Sequence, residues 1–162
     1  MLISETLNAA INAQIGNELG NSNQYVAIAA YFEGDCLFGL AKIFYAQAGE
    51  ERDHAMKFVK FVLDAGGKLA IPAVPAPQNE FRSAEQAAQV AYDSEVRTTE
   101  QIYALVALAT GEKNYIATNF LQWFVSEQLE EVSSAQTRLA VIKRAGPSVL
   151  MVDAYLAHDG GK

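Results

Sequence analysis

A helical seam with a charged centre constrains this sequence more than any other feature. Between residues 40 and 65, apolar side chains recur at alternating steps of four and three, which is the spacing of the inward-facing seam of a bundle helix. Glu51 and His54 lie one turn apart within that seam. Burying a carboxylate and an imidazole in a core is costly unless something compensates them. A divalent metal ion can do so, because both groups are good ligands for iron or zinc.

Three other segments repeat this pattern, and each has a polar centre. Their apolar stripes run through residues 7–32, 84–109 and 117–142. The polar midpoints are Glu18, Glu95 and Glu131, with Gln128 one turn before the last. Since midpoints meet when helices pack lengthwise, the sequence predicts four carboxylates and one imidazole in one layer of the core. Such carboxylates would repel one another, and two metal ions with a bridging carboxylate would remove that repulsion.

Each of these residues also has an ordinary explanation when it is taken alone. A single glutamate on a long helix is usually a solvated surface residue, and a Glu-x-x-His pair recurs by chance. Tyr25 lies seven residues after Glu18 and therefore on the same face, but a buried tyrosine bound to a carboxylate is a common core feature. The joint pattern favours a metal centre with oxygen and nitrogen ligands, which suits iron or manganese. Two explanations for such a centre stay open. One is a non-enzymatic metal-binding helical bundle, and the other is an enzyme with a pair of iron ions held by carboxylates, such as a di-iron oxidase or peroxidase.

The fold expected from these patterns is an all-α four-helix bundle in a single domain, with a short fifth helix at the C-terminus. The helices are predicted over residues 4–33, 38–65, 83–110, 112–145 and 148–158. Ser4 and Ser83 are suitable N-caps, and Gln86 completes a capping box with Ser83. The connection over residues 66–82 reaches roughly 56 Å when extended, against about 42 Å for a long helix. It can therefore cross the whole bundle, so that the third helix runs parallel to the second.

Composition argues against several classes of protein. The net charge is −7 and lysine and arginine do not cluster, so we expect no nucleic-acid partner. We also expect no membrane association, because no apolar run could span a bilayer and the N-terminus lacks the pattern of a signal peptide. Cys36 is the only cysteine, which excludes an intrachain disulfide and makes the reducing cytoplasm the expected location.

These motifs resemble those of the non-haem ferritins of bacteria and archaea, and the resemblance covers essentially the whole chain. It is carried by Glu18 with Tyr25, by the run from Glu50 to His54, by Glu95 and by residues 127–131. It implies a ferritin-like fold and a ferroxidase centre, in which these residues have separate roles. Glu18 and His54 would hold the first iron, and Glu51 would bridge the two iron ions. Glu95 and Glu131 would hold the second iron, with Gln128 beside it. Tyr25 would lie next to the site.

The resemblance also implies a third iron site, made by Glu50, Glu127 and Glu130 with Glu131 shared. Glu127, Glu130 and Glu131 have the helical spacing that such a site needs. A solvated acidic edge is the alternative explanation for Glu50, Glu127 and Glu130. The sequence alone leaves both explanations open.

Bacterioferritins are similar in fold but differ at the positions that matter for haem. Their haem-ligating methionine directly follows the second-helix glutamate, and this chain has Arg52 there. We therefore expect no haem. The function implied by the resemblance is oxidation of Fe(II) to Fe(III) by O2 or H2O2, followed by deposition of ferric mineral in a hollow homo-oligomeric cage of 24 subunits. The fifth helix is too short to be stable alone in water, so we expect neighbouring subunits to bury its apolar side chains.

Overall fold

The computed structural model describes residues 1–159, which form five α-helices without any β-strand in that range. The helices are α1 (Glu5–Gly34), α2 (Phe38–Asp64), α3 (Ala84–Gly111), α4 (Tyr115–Ala145) and α5 (Val149–Asp159), and a 3₁₀ turn at Gly146–Ser148 precedes α5. None of the helices within residues 1–159 combines the length and the apolar character needed to cross a bilayer.

Serine side chains cap two of the long helices, as the sequence predicts. The Ser4 hydroxyl accepts a hydrogen bond from the Leu7 N–H at 2.9 Å, and Ser83 accepts one from the Gln86 N–H at 3.1 Å. The Gln86 side chain accepts the N–H of Arg82 at 2.6 Å, whereas the expected capping box would have it accept the N–H of Ser83. These bonds satisfy backbone donors that have no partner within the helix.

The start of α4 lies later than the expected residue 112. Lys113 adopts a left-handed backbone conformation with φ of 54°, which a helix cannot include. The side chain of Asn114 then accepts the N–H of Ala117 at 3.0 Å and acts as the N-cap. The helix therefore begins at Tyr115.

The long crossover of residues 65–83 follows α1 along most of its length. Near its start, Asn12 accepts a hydrogen bond from the Ala70 N–H at 2.8 Å. Near its end, the Gln24 side chain both donates to and accepts from the backbone of Gln78, each at 2.9 Å. The crossover thus runs from the N-terminal half of α1 to its C-terminal half. Consequently α3 begins at the same end of the bundle as α2 and runs parallel to it.

Two apolar clusters fill the two ends of the bundle. One includes Phe32 and Phe44 and joins the end of α1 to the starts of α2 and α3 and the end of α4. The other includes Leu7, Phe58 and Leu121 and joins the opposite ends of the same helices. Buried polar side chains separate the two clusters, so the polar midpoints of the helices share one layer, which we call the polar layer.

One side of the fifth helix packs against its own subunit, which corrects the expectation that neighbouring subunits would bury its apolar side chains. Val152 and Leu156 are each only 6% exposed and belong to the apolar cluster around Phe44. This close docking requires Gly39 on α2, because a Cβ atom there would lie 2.5 Å from the carbonyl oxygen of Asp153. Three apolar side chains of α5 remain exposed: Leu150, Met151 and Tyr155.

Asp153 also caps α2 from outside that helix. Its Oδ1 accepts the N–H of Leu40 at 2.7 Å. The residue at the N-cap position of α2, Leu37, has no side-chain oxygen and makes no such bond. The first turn of α2 is therefore completed by α5.

Candidate metal centre

The middles of α1 to α4 bring the five predicted ligands into the polar layer. Glu18, Glu51, His54, Glu95 and Glu131 are all buried, and the most accessible of them, Glu131, is only 6% exposed. Ligand atoms of Glu18, Glu51 and His54 all lie within 4.8 Å of one another. A carboxylate pair and an imidazole at this spacing could share one metal ion.

His54 also belongs to a second group of potential ligands. Its ligand atom and those of Glu127 and Glu131 again lie within 4.8 Å of one another. The two ring nitrogens face different carboxylates, because Nδ1 lies 3.4 Å from Glu51 and Nε2 lies 3.8 Å from Glu127. Within residues 1–159, Glu95 belongs to neither group of three.

Each carboxylate of the polar layer accepts a hydrogen bond from an amide side chain. The pairs are Gln14 with Glu18 at 2.7 Å, Asn21 with Glu51 at 3.1 Å, Gln47 with Glu131 at 2.6 Å, and Gln128 with Glu95 at 3.3 Å. Neutral amides orient the carboxylates without cancelling their charge. The hydrogen bonds of Gln14, Asn21 and Gln47 to these carboxylates were not predicted from the sequence. The available signal was that each lies on a seam, one turn from Glu18 or Glu51.

One carboxylate oxygen of the layer has no hydrogen-bond donor. Glu18 Oε2 is buried and without a partner among the described residues. Buried polar atoms nearly always find a partner, so this oxygen fits a position where a cation binds. The donor set has carboxylate oxygens and one imidazole but no thiolate, which suits iron or manganese.

The polar layer retains protons when no metal is bound. Two causes raise the pKa of each of the other three carboxylates: burial, which is the larger cause, and the negative charge of Glu51. The pKa of Glu18 lies well above its usual value, that of Glu95 rises to about 8 and that of Glu131 to about 7. Burial by itself lowers the pKa of His54, but its hydrogen bond to Glu51 and the charge of Glu51 outweigh that effect, and the net shift is upward. A divalent cation would displace these protons, because metal ligands must be deprotonated.

Tyr25 lies beside the polar layer and is fully enclosed. Its hydroxyl donates a short hydrogen bond to Glu95, and its ring stacks against Phe44 at a centroid distance of 5.9 Å. Burial, followed by the charge of Glu95, raises the pKa of Tyr25 well above its ordinary value. The side chain is therefore a neutral phenol that fixes one oxygen of Glu95.

The residues predicted for a third site differ in their burial and in their distance from the other potential ligands. Glu127 is partly buried and faces His54, as described above, while Glu50 and Glu130 are exposed. Neither Glu50 nor Glu130 belongs to a group of three ligands within residues 1–159. Partial burial raises the pKa of Glu50, and the charge of His54 acts in the opposite direction, so that it reduces the rise. The third site therefore stays a prediction.

Two further side chains beside the layer were missed by the sequence analysis. Arg138 is 7% exposed, its Nε has no hydrogen-bond partner in the described part of the chain, and its guanidinium lies 5.8 Å from the ring centroid of Phe44. It follows Glu131 by seven residues, which is the signal that places it on the same seam. Trp123 packs edge-on against His54 at 5.5 Å, with Lys57 Nζ 4.5 Å from the Trp123 ring centroid.

Comparisons with known proteins agree with this architecture. Residues 8–145 match the ferritin-like domain family. The chain is 40% identical over 151 residues to ferritin BfrB of Mycolicibacterium smegmatis, covering 93% of this chain and 83% of that protein. It is 33% identical over 145 residues to the bacterial non-heme ferritin of Staphylococcus aureus, covering 90% and 87%.

A solved structure of an open pore ferritin from the hyperthermophilic archaeon Archaeoglobus fulgidus is similar throughout. It matches this chain with a TM-score of 0.93 and 36% sequence identity, and the match covers 96% of this chain and 97% of that one. The expected four-helix bundle with a short C-terminal helix is thereby confirmed.

Proposed function

Since this chain belongs to the ferritin family, a family of iron-storage proteins, we propose that its polar layer is a ferroxidase centre. The centre would oxidise Fe(II) to Fe(III) with O2 or H2O2 before ferric mineral is deposited. Two observations carry this proposal: the ligand atoms of the buried residues Glu18, Glu51 and His54 lie within 4.8 Å of one another, and one buried oxygen of Glu18 lacks a hydrogen-bond donor. Such a group is stable in a core when a cation compensates it.

The side chains divide the work between two substrate iron ions. Glu18 and His54 would hold one ion, Glu95 and Glu131 the other, and Glu51 would bridge them. Four carboxylates balance the charge of two divalent ions, and carboxylate oxygen favours Fe(III), which is the harder ion. The amide donors hold the carboxylates in place before iron arrives, so less of the ligand geometry has to be built during binding.

Residues around the centre would assist in distinct ways. Gln128 lies next to the second ion and orients Glu95. Tyr25 holds the other oxygen of Glu95 and is close enough to the centre to supply an electron. Glu50, Glu127 and Glu130 would form the third iron site with Glu131, on the side of the layer that Glu127 faces.

An anaerobic Fe(II) titration followed by exposure to oxygen tests the proposal directly. Absorbance and oxygen consumption are recorded together. We expect two tight Fe(II) equivalents per subunit, and oxygen uptake in proportion to the iron oxidised. Tight binding without consumption of O2 or H2O2 would instead identify a non-enzymatic metal-binding bundle. Glu51→Ala serves as the matched variant, because it removes the proposed bridge and should abolish the fast phase of oxidation.

We further propose that the protein is cytoplasmic, that it forms a hollow cage of 24 subunits and that it binds no haem. The exposed apolar face of α5, formed by Leu150, Met151 and Tyr155, supports an assembly because a neighbouring subunit would remove it from water. Light scattering of the purified protein at micromolar concentration tests the assembly. A monomer or dimer would contradict the cage and, with it, mineral storage.

A further inference from the structure

A cleft of about 390 Å³ lies between α1, α3 and the crossover. Two glycines of α1 shape it. A side chain on Gly16 would collide with Pro72, so this glycine lets the proline-rich crossover lie directly over α1. A Cβ atom on Gly20 would lie 3.5 Å from Val74, an ordinary contact distance. A Cβ atom at Gly20 is therefore accommodated without a clash, and because Gly20 lines the cleft, a larger side chain at this position would reduce the free space within it.

The cleft reaches the polar layer through one side chain. Asn21 lines the cleft and is 6% exposed. Its Nδ2 donates to Glu51 Oε2 at 3.1 Å and to Thr98 Oγ1 at 2.9 Å. Asn21 therefore separates the cleft from Glu51, the proposed bridging ligand, with no further residue between them.

The lining of the cleft suits a small neutral molecule and does not suit a cation. Among the described residues that line it there is no carboxylate, whereas Arg97 contributes a positive charge. The remaining lining consists of apolar residues of the crossover, of Ala13, Gly16 and Gly20 on α1, and of neutral amides. One of those amides, Gln101, has a buried Oε1 without a hydrogen-bond partner within residues 1–159. That oxygen can accept a hydrogen bond from a molecule with an O–H donor.

We propose that this cleft is the route by which the small neutral oxidant, dioxygen or hydrogen peroxide, reaches the centre. The oxidant passes when Asn21 rotates away from Glu51. Fe(II) approaches from a different side, where Glu127 offers a carboxylate next to His54. Separate routes keep the cationic substrate out of a cleft that carries Arg97, because like charges repel. This inference rests on the proposed ferroxidase function.

Filling the cleft provides the test. Gly20→Leu places a side chain in the open space, and Gly111→Leu is the matched control, since nothing lies within 4 Å of a Cβ atom at Gly111. Oxidation rates are measured at saturating Fe(II) while the concentration of O2, and separately of H2O2, is varied. We expect the KM for each oxidant to rise roughly tenfold in Gly20→Leu, which is the scale on which a pocket discriminates by size. Gly111→Leu should match the wild type.

Anaerobic Fe(II) titration supplies a second measurement that does not depend on turnover. Gly20→Leu should bind Fe(II) with the wild-type stoichiometry and affinity, and this also verifies that the centre is correctly folded. Gly20→Ala fills less space and should raise the KM for oxidant by a smaller factor. An unchanged KM for both oxidants in Gly20→Leu would overturn the inference. A raised KM for Fe(II) instead would overturn it by identifying the cleft as an iron route.

The outcome for the wild type distinguishes failure of this inference from failure of the proposed function. A wild-type protein that consumes oxidant, together with unaffected Gly20→Leu kinetics, would remove only the oxidant route. A wild-type protein that binds Fe(II) but consumes neither oxidant would remove the ferroxidase function and the route together.

Discussion

Replacing Glu51 with glutamine is expected to stabilise the metal-free protein while it destroys the proposed activity. Glutamine has nearly the same size as glutamate, and its Oε1 can still accept the hydrogen bond from Asn21. The substitution removes only the negative charge at the centre of the polar layer. That charge helps to raise the pKa of Glu18, Glu95 and Glu131, so its removal relieves repulsion that exists when no metal is present.

The direction of the stabilisation follows from the pKa shifts. The pKa of Glu95 rises from 4.5 to about 8, with burial as the largest cause and the charge of Glu51 as the next. Removing the charge of Glu51 removes one of these causes, so the folded protein becomes more stable at a pH where Glu95 ionises. His54 loses its charged partner, which offsets part of this gain. We therefore expect the free energy of unfolding at pH 8 to increase by about 1–2 kcal/mol, or a few degrees in Tm.

The effect on activity should have the opposite direction. Glutamine cannot supply two anionic oxygens to two metal ions, and a metal ion that is no longer held in position loses part of its effect on the reaction, which is worth several kcal/mol. A loss of about 3 kcal/mol corresponds to a roughly hundredfold slower initial oxidation of Fe(II). Calorimetry of the metal-free protein and stopped-flow absorbance after mixing with Fe(II) and oxygen measure the two effects separately.

Glu100→Gln is the matched control for this experiment. Glu100 is an exposed residue of α3, so the same chemical change should leave both Tm and the oxidation rate close to their wild-type values. If metal-free Glu51→Gln unfolds at a lower temperature than the wild type, the repulsion argument is wrong. If its initial oxidation rate matches that of the wild type, Glu51 is not a bridging ligand.

Three other perturbations test separate parts of the structure. Glu130→Ala should preserve the first fast oxidation of Fe(II) but alter later turnovers. A crystal of this variant soaked in Fe(II) should lack only the third ion, whereas loss of the paired ions as well would assign Glu130 to the main centre. The Tm of the metal-free protein should fall as the pH rises from about 5 to 8. Folding raises the pKa of Glu95 to about 8 and that of Glu131 to about 7, so the folded protein retains protons that the unfolded chain releases. Calorimetry that shows a constant or rising Tm over this range would contradict the prediction. Gly39→Val should displace α5, because a Cβ atom at residue 39 would lie 2.5 Å from the Asp153 carbonyl oxygen. Light scattering should then detect assemblies smaller than those of the wild type. An intact cage would show that docking of α5 is not needed for assembly.

The positions of the metal-ligand candidates could be predicted because they depend on periodicity alone. Glu18, Glu95 and Glu131 interrupt apolar stripes at helix midpoints, and lengthwise packing leaves them no other place than the centre of the bundle. Helix ends were predictable where a side chain caps the helix, as at Ser83. The start of α4 was predicted too early although Asn114 caps it, because residues 112 and 113 do not themselves indicate a break, and the left-handed conformation of Lys113 has no signal in its residue type.

The hydrogen bonds around the ligands could not be predicted from spacing. Gln14 donates to Glu18 on its own helix, whereas Gln47, which precedes Glu51 by the same four residues, donates to Glu131 on another helix. Side-chain rotamers and the distance between helices decide between these two outcomes, and neither is encoded in a seam pattern. The burial of Arg138 could not be predicted for the same reason, since the seam pattern does not determine which polar side chains point inward.

The docking of α5 has a consequence for how subunits would come together. Asp153 and Gly39 hold this helix against α2 within a single subunit, so Leu150, Met151 and Tyr155 are presented in a fixed arrangement before any neighbour approaches. Association would then avoid the entropy loss of folding a loose tail, a loss of about 0.5–1.5 kcal/mol for each immobilised side chain. The subunit carries a preorganised contact surface, attached to the helix that also bears Glu51 and His54.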